Sequence, residues 1–213
     1  MKRARVLLAD DHPMFLAGLR SLLEAEYDVV GLVNDGRSLV EAASRLKPEA
    51  IVLDISLPLL NGIDAARQIK KDQPETKILF VTMHANLAYL KDALAAGASG
   101  YLLKTSAREE LLDALRDVIR NRIHVSPGFG DEIVEQYERH PSSFARSQSV
   151  LTARQREILQ LVAEGRTAKE IAALLNVSLQ TVAFHKHQIM DKLGLRTTAE
   201  LTKYAIQEGL VAT

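Results

Sequence analysis

The chain has 213 residues, 47% hydrophobic and 25% charged, a composition that excludes disorder and fibrous structure and allows one large domain or two modest ones. No apolar run approaches the roughly 20 residues that span a bilayer. The opening MKRARVLLADD carries acids where a signal peptide would still be apolar, so a cytoplasmic protein without membrane contact is expected. It has no cysteine, which removes disulfide scaffolds, thiolate zinc sites and cysteine nucleophiles, and its 27 basic and 27 acidic residues balance.

Residues 1–120 alternate short apolar runs of strand type with helical patterns. Strands are expected at Val6 to Ala9, Val29 to Val33, Ile51 to Leu53, Ile78 to Val81 and Gly100 to Leu103. Between them apolar residues recur at helical spacing: Phe15, Leu19, Leu22; Leu39, Ala43, Leu46; Ile63, Ala66, Ile69; Leu87, Leu90, Leu94; and Leu111, Leu115, Val118. Five strand-helix units with continuously apolar strands imply an α/β fold, a doubly wound five-stranded parallel sheet covered on both faces. Pro13 suits the first position of the first helix, and Gly62, Gly97 and Gly100 suit turns.

From Asn121 to Val150 the periodicity lapses, broken by Pro127, Gly128, Gly130, Pro141 and several serines. This reads as a linker, with a short helix over Asp131 to Arg139. Beyond it the pattern is helical throughout. Thr152 with Gln155 makes a capping box for a helix burying Ile158, Leu159 and Val162. Thr167 caps a second helix, Ala168 to Leu175, and Ser178 a third, Leu179 to Leu193, ended by Gly194; Thr198 to Glu208 forms a fourth. Only Asn176 to Ser178 separate the second and third, the spacing of a helix-turn-helix in a small four-helix, all-α domain.

Net charge differs along the chain. Residues 1–120 carry 16 basic and 17 acidic side chains, 121–150 carry 3 and 4, and 151–213 carry 8 and 6. The surplus at the C-terminal end is small, and nucleic-acid binding depends more on where cations lie than on their number.

Asp10 and Asp11 follow the first strand, Asp54 the third, Thr82 the fourth and Lys104 the fifth. In a sheet of order 2-1-3-4-5 the first and third strands are neighbours, and ligands bind outside their carboxyl ends. An Asp after a strand is usually a turn or capping residue, and a Thr or Lys there a solvated edge; five such residues on one rim are not explained that way. Three carboxylates this close need a neutralising cation, and Mg²⁺ prefers such oxygens. The set combines a metal site, a carboxylate nucleophile and two groups able to hold phosphoryl oxygens. His12 and His84 lie near this rim, but Mg²⁺ favours oxygen, and both are expected to be surface or capping residues.

The runs RVLLADDHPMFLAGLRSLL, IVLDISLPLLNGIDAARQIK, ILFVTMH and ASGYLLKTS resemble the receiver domain of bacterial two-component response regulators over residues 4–120. The resemblance implies that Asp54 accepts a phosphoryl group from a sensor histidine kinase. It implies Mg²⁺ held by Asp11, Asp54 and the backbone carbonyl of Ser56, with Asp10 assisting through water. Thr82 and Lys104 would contact phosphoryl oxygens, and Tyr101 would follow Thr82. Met83 and Thr105 depart from the small residue and the proline common at these positions.

In the third C-terminal helix the inward stripe is Val182, Ile189 and Leu193, with His185 half-buried. Thr181, Ala183, Phe184, His187 and Gln188 are left for other faces, where Gln can pair with adenine and Phe or Ala can touch a thymine methyl. Lys169, Lys186 and Lys192 are available for phosphates, although lysines on helices are ordinarily solvated and an exposed Phe ordinarily packs on a neighbour. The segment from LTARQREIL to KLGLRTTAEL resembles the LuxR-type helix-turn-helix over residues 150–213, departing at Ala153, Gln155 and Ala168, where Pro, Glu and Asn are common.

Together these point to the NarL/FixJ branch of response regulators: a receiver over 1–121, a linker over 122–149 and a DNA-binding domain over 150–213. Promoter DNA, a homodimer built on the last helix through Leu201, Ala205 and Tyr204, and the transcription machinery are the implied partners. The expected role is regulatory rather than enzymatic. An aspartate-based phosphohydrolase of the haloacid-dehalogenase kind would want a second Asp where Ser56 stands. A regulator with an idle phosphorylation site is the other alternative, and the intact acidic rim argues against it.

Overall fold

The computed structural model describes residues 3–106, 108–127, 129, 139 and 150–211. The chain divides into two compact units, one of residues 1–57 and 62–147, which holds the sheet, and one of residues 58–61 and 148–213.

In the first unit, β1 (Arg5–Ala9), β2 (Asp28–Val33), β3 (Ala50–Leu53), β4 (Lys77–Thr82) and β5 (Gly100–Leu103) alternate with α1 (Pro13–Leu23), α2 (Gly36–Leu46), α3 (Gly62–Asp72), α4 (Leu87–Ala95) and α5 (Arg108–Ile119). A sixth strand, β6 (His124–Val125), pairs parallel with β5, and the sheet order is 2-1-3-4-5-6. The expected five-stranded sheet therefore has one more edge strand, and the first residues of the expected linker belong to it. A two-residue strand is too short to show alternation, and Pro127 beside it reads as a breaker.

The strands are continuously apolar because both faces are covered. On one face Val6, Leu8, Val52, Leu79, Val81 and Leu102 pack against Leu16, Leu19 and Leu23 of α1 and Leu111, Leu115 and Val118 of α5. β1 lies between β2 and β3, with Ala9 in register with Leu53. The residues that follow each, Asp10 and Asp54, thus leave the sheet side by side. Gly62 opens α3 where a Cβ would stand 2.0 Å from the Asp54 carbonyl oxygen, so only glycine lets the helix start this close to β3.

The second unit contains α6 (Ala153–Ala163), α7 (Ala168–Leu175), α8 (Leu179–Leu193) and α9 (Thr198–Gln207). Capping boxes open α6, α7 and α9 through Thr152 with Gln155, Thr167 with Glu170 and Thr197 with Glu200. Asn176 ends α7 in the left-handed region, φ 52°, and Ser178 caps α8 two residues later, which makes the tight turn. Ile158, Leu159, Leu161, Ile171, Leu175, Val182, Ile189, Leu201 and Ala205 form the core. Leu201 and Ala205 are 1% and 0% exposed, so they are core residues and not the free face expected of them; Ile206 is the large apolar residue that α9 leaves exposed. The helix expected over Asp131 to Arg139 falls on 131–138, outside the described residues.

Candidate phosphoacceptor site and recognition helix

The rim is assembled from strand ends. Asp10 and Asp54 are buried, and Lys104, carried past β5, places Nζ 2.7 Å from Asp10 Oδ2 and 2.7 Å from Asp54 Oδ2. One ammonium thus bridges two carboxylates that would otherwise repel. Burial works to lower the Lys104 pKa, but its hydrogen bonds to both aspartates, together with their negative charges, outweigh it and hold the group above its ordinary value. The Phe15 ring lies 4.6 Å from Lys104 Nζ.

The remaining carboxylate oxygens are only partly used. Asp54 Oδ1 accepts from the Ile55 N–H at 2.6 Å, and Asp10 Oδ1 from the His12 N–H at 2.9 Å. His12 Nδ1 also lies 2.8 Å from Asp11 Oδ1, which is buried and has no hydrogen bond of good geometry among the described residues. Ligand atoms of Asp10, Asp11, His12 and Asp54 all fall within 4.8 Å of one another. Three clustered carboxylates, one with an unsatisfied oxygen, fit a hard divalent cation such as Mg²⁺.

Around them the structure places the remaining expected residues. Thr82 is buried at the end of β4, and its Oγ1 accepts from the His84 N–H at 3.4 Å. Tyr101 is 0% exposed and its hydroxyl donates to the His84 carbonyl at 2.8 Å; burial first, then Tyr89 and Asp54, push its pKa up. His84, expected as a surface or capping residue, is half-buried. Its ring stacks on Tyr89 with centroids 4.2 Å apart, and Nε2 lies 2.8 Å from Ser56 Oγ, so it bridges the loops after β3 and β4. Burial lowers its pKa, with Lys104 adding and Asp54 opposing.

The cover over Tyr101 leaves no mark in the sequence. Phe129, beyond β6, meets its ring edge-on at 5.3 Å. The Ser126 N–H donates to the Tyr101 carbonyl at 2.9 Å, and the Ser126 hydroxyl donates to Glu110 at 2.9 Å. No sequence signal marks Ser126, because its partners come from β5 and α5.

In the second unit Val182 and Ile189 face inward as expected, and His185 is half-buried. Ala183, Phe184 and His187 are exposed on α8, as is Lys169 on α7. Thr181 Oγ1 lies 2.9 Å from Ser178 Oγ, Lys186 Nζ donates to Thr198 Oγ1 at 2.8 Å, and His187 Nε2 lies 3.3 Å from Asp191. Gln188 and Lys192 are tied to Gln155 of α6: Gln188 Oε1 accepts from Gln155 Nε2 at 3.2 Å, and Lys192 Nζ donates to Gln155 Oε1 at 2.9 Å.

Residues 6–116 match the response regulator receiver domain, and residues 149–205 match the luxR family of bacterial regulatory proteins. The chain belongs to the NarL/FixJ family of two-component response regulators. The regulator is 32% identical over 212 residues to the transcriptional regulatory protein MctR of Rhizobium johnstonii, covering 99% of this chain and 96% of that one. It is 34% identical over 214 residues to the oxygen regulatory protein NreC of Staphylococcus carnosus, covering 97% and 99%. RcsB from Salmonella enterica serovar Typhimurium, solved bound to promoter rprA with phosphomimetic BeF3-, superposes with a TM-score of 0.55 at 31% identity, covering 94% of this chain and 97% of RcsB. The protein is thus a DNA-binding response regulator, a receiver joined to a LuxR-type helix-turn-helix domain. Among the described residues no helix is long and apolar enough to cross a membrane.

Proposed function

We propose that Asp54 is the phosphoacceptor and that its phosphorylation controls dimerisation and promoter binding. The supporting observation is the bridge from Lys104 Nζ to the Asp54 and Asp10 carboxylates at the ends of neighbouring strands. In the transfer, an Asp54 oxygen attacks the phosphorus of a kinase phosphohistidine, the phosphorus–nitrogen bond breaks and the histidine nitrogen leaves. Lys104 then neutralises a phosphoryl oxygen, and Thr82 donates its hydroxyl to another. Asp11, Asp54 and the Ser56 carbonyl would hold Mg²⁺, with Asp10 assisting through water, and the ion would supply charge neutralisation for the incoming phosphoryl group.

A receiver carried through β6 (His124–Val125), a linker after it and a DNA-binding domain over 150–213 accompany this reading, as do a cytoplasmic location, a regulatory rather than enzymatic role and contact with the transcription machinery. In DNA binding, Thr181, Ala183, Phe184 and His187 face the major groove, while Lys169 and Lys186 meet phosphates; Gln188 and Lys192 act from the inner margin of α8. The RcsB relative, bound to promoter DNA with a phosphomimetic, supports the link between the two domains. Incubation with acetyl phosphate and Mg²⁺ should place one phosphoryl group on the peptide bearing Asp54, read by mass spectrometry. Asp54→Asn, near-isosteric but without the nucleophile, should stay unlabelled; full labelling of that variant overturns the assignment.

A further inference from the structure

A chain of polar side chains joins α8 to α6 in the second unit. Gln155 is buried, and its Oε1 accepts from the Thr152 backbone N–H at 3.1 Å and from Lys192 Nζ at 2.9 Å. Its Nε2 lies 3.2 Å from Gln188 Oε1. The oxygen and nitrogen of an amide are told apart by their partners. Here both partners of Oε1 are obligate donors, a peptide N–H and an ammonium, and neither can accept. Turning the Gln155 amide over would set its N–H₂ against two donors, so Nε2 must face Gln188 and can only donate. Gln188 must answer with its carbonyl. Its own N–H₂ is then the group left to face outward.

Position 188 lies one helical turn after Phe184, which is 58% exposed, and two turns after Thr181, so it borders the outward face of α8. We propose that Gln155 is a positioning residue that sets the hydrogen-bonding polarity of Gln188 in the DNA interface. With the carbonyl drawn toward α6, Gln188 offers donors alone and favours a base edge that presents acceptors, above all guanine O6 and N7 and then thymine O4. The bidentate pair with adenine, which needs carbonyl and N–H₂ together, is disfavoured. The proposal rests on the reading that the outer face of α8 enters the major groove.

Gln155→Glu reverses the polarity. A carboxylate keeps the Thr152 and Lys192 contacts but only accepts, so Gln188 must turn its N–H₂ inward and show its carbonyl to DNA. Bases that present a donor, adenine N6 or cytosine N4, become the better partners. Gln188→Met keeps the length of the side chain and removes both polarities.

The test is selection from a randomised duplex pool by the full chain, phosphorylated with acetyl phosphate and Mg²⁺, with thermal melting as a check on folding. Wild type should enrich an acceptor-bearing base at one position of each half-site. Gln155→Glu should shift that position alone toward adenine or cytosine by about tenfold, the worth of a single well-placed hydrogen bond of ~1.4 kcal/mol. Gln188→Met should flatten the same position and leave the others. An unchanged motif in folded Gln155→Glu, or an equal loss on every sequence, overturns the proposal. So does retention of the full wild-type motif by Gln188→Met, which decides the matter even if Gln155→Glu fails to fold. Failure of wild type to enrich any motif would instead overturn the placement of α8 in the groove.

Discussion

At the scale of single residues, the regulator concentrates its charge where the strands end. Asp10, Asp11, Asp54 and Lys104 were legible in the sequence because strand-end positions and sheet order together place them on one rim. The 2.8 Å contact between His84 and Ser56 was not, since it depends on the paths of two loops. The hydrogen bond that ties Gln188 to Gln155 was not legible either, because helical phase alone cannot show that a neighbouring helix takes up its carbonyl. The Lys104 bridge makes a stability prediction. Lys104→Met leaves the buried Asp10 and Asp54 without a compensating charge, which should cost about 3 kcal/mol in metal-free solution. Mg²⁺ should restore part of the loss by binding only the folded pocket. Urea denaturation of the variant with and without Mg²⁺ checks this; a midpoint indifferent to the metal contradicts it.

Among the elements, the four C-terminal helices were readable nearly to the residue because their starts carry side-chain caps and the turn carries Asn176 and Ser178. β6 was not readable, because its only evidence is pairing with β5. The caps also carry a pH dependence. Glu200 accepts from the Arg196 and Thr197 N–H groups, and Glu170 from the Thr167 N–H and hydroxyl; these bonds hold both pKa values below the ordinary glutamate value. A depressed carboxyl pKa gives stability that is present above the unfolded-state value and lost as pH falls through the folded one. The α7 and α9 caps should therefore weaken only below the ordinary glutamate range. The Thr197 amide resonance should titrate with a midpoint under that range, and in Glu200→Gln the titration should vanish while the cap persists, as Gln155 shows at α6. A midpoint at or above the ordinary value would refute this.

On the scale of the whole molecule, two jobs are divided between two units with separate cores. DNA positioning and reading should separate in the same way. Lys169→Ala, which would remove the proposed phosphate contact, should weaken binding to selected and scrambled duplexes alike and lower the salt slope by about one unit. His187→Ala should cost about 1 to 3 kcal/mol on the selected duplex alone. Fluorescence anisotropy at two salt concentrations distinguishes these, and equal losses on both duplexes for both variants would mean that α8 is not the reading helix.

Control of DNA binding by phosphorylation at Asp54 is what the proposed function turns on. It is tested by the affinity of the full chain for its selected duplex, at one fixed salt concentration, before and after treatment with acetyl phosphate and Mg²⁺. Wild type should bind more tightly after treatment, and Asp54→Asn should not respond. An unchanged affinity in labelled wild type, or an equal response in Asp54→Asn, would contradict the account.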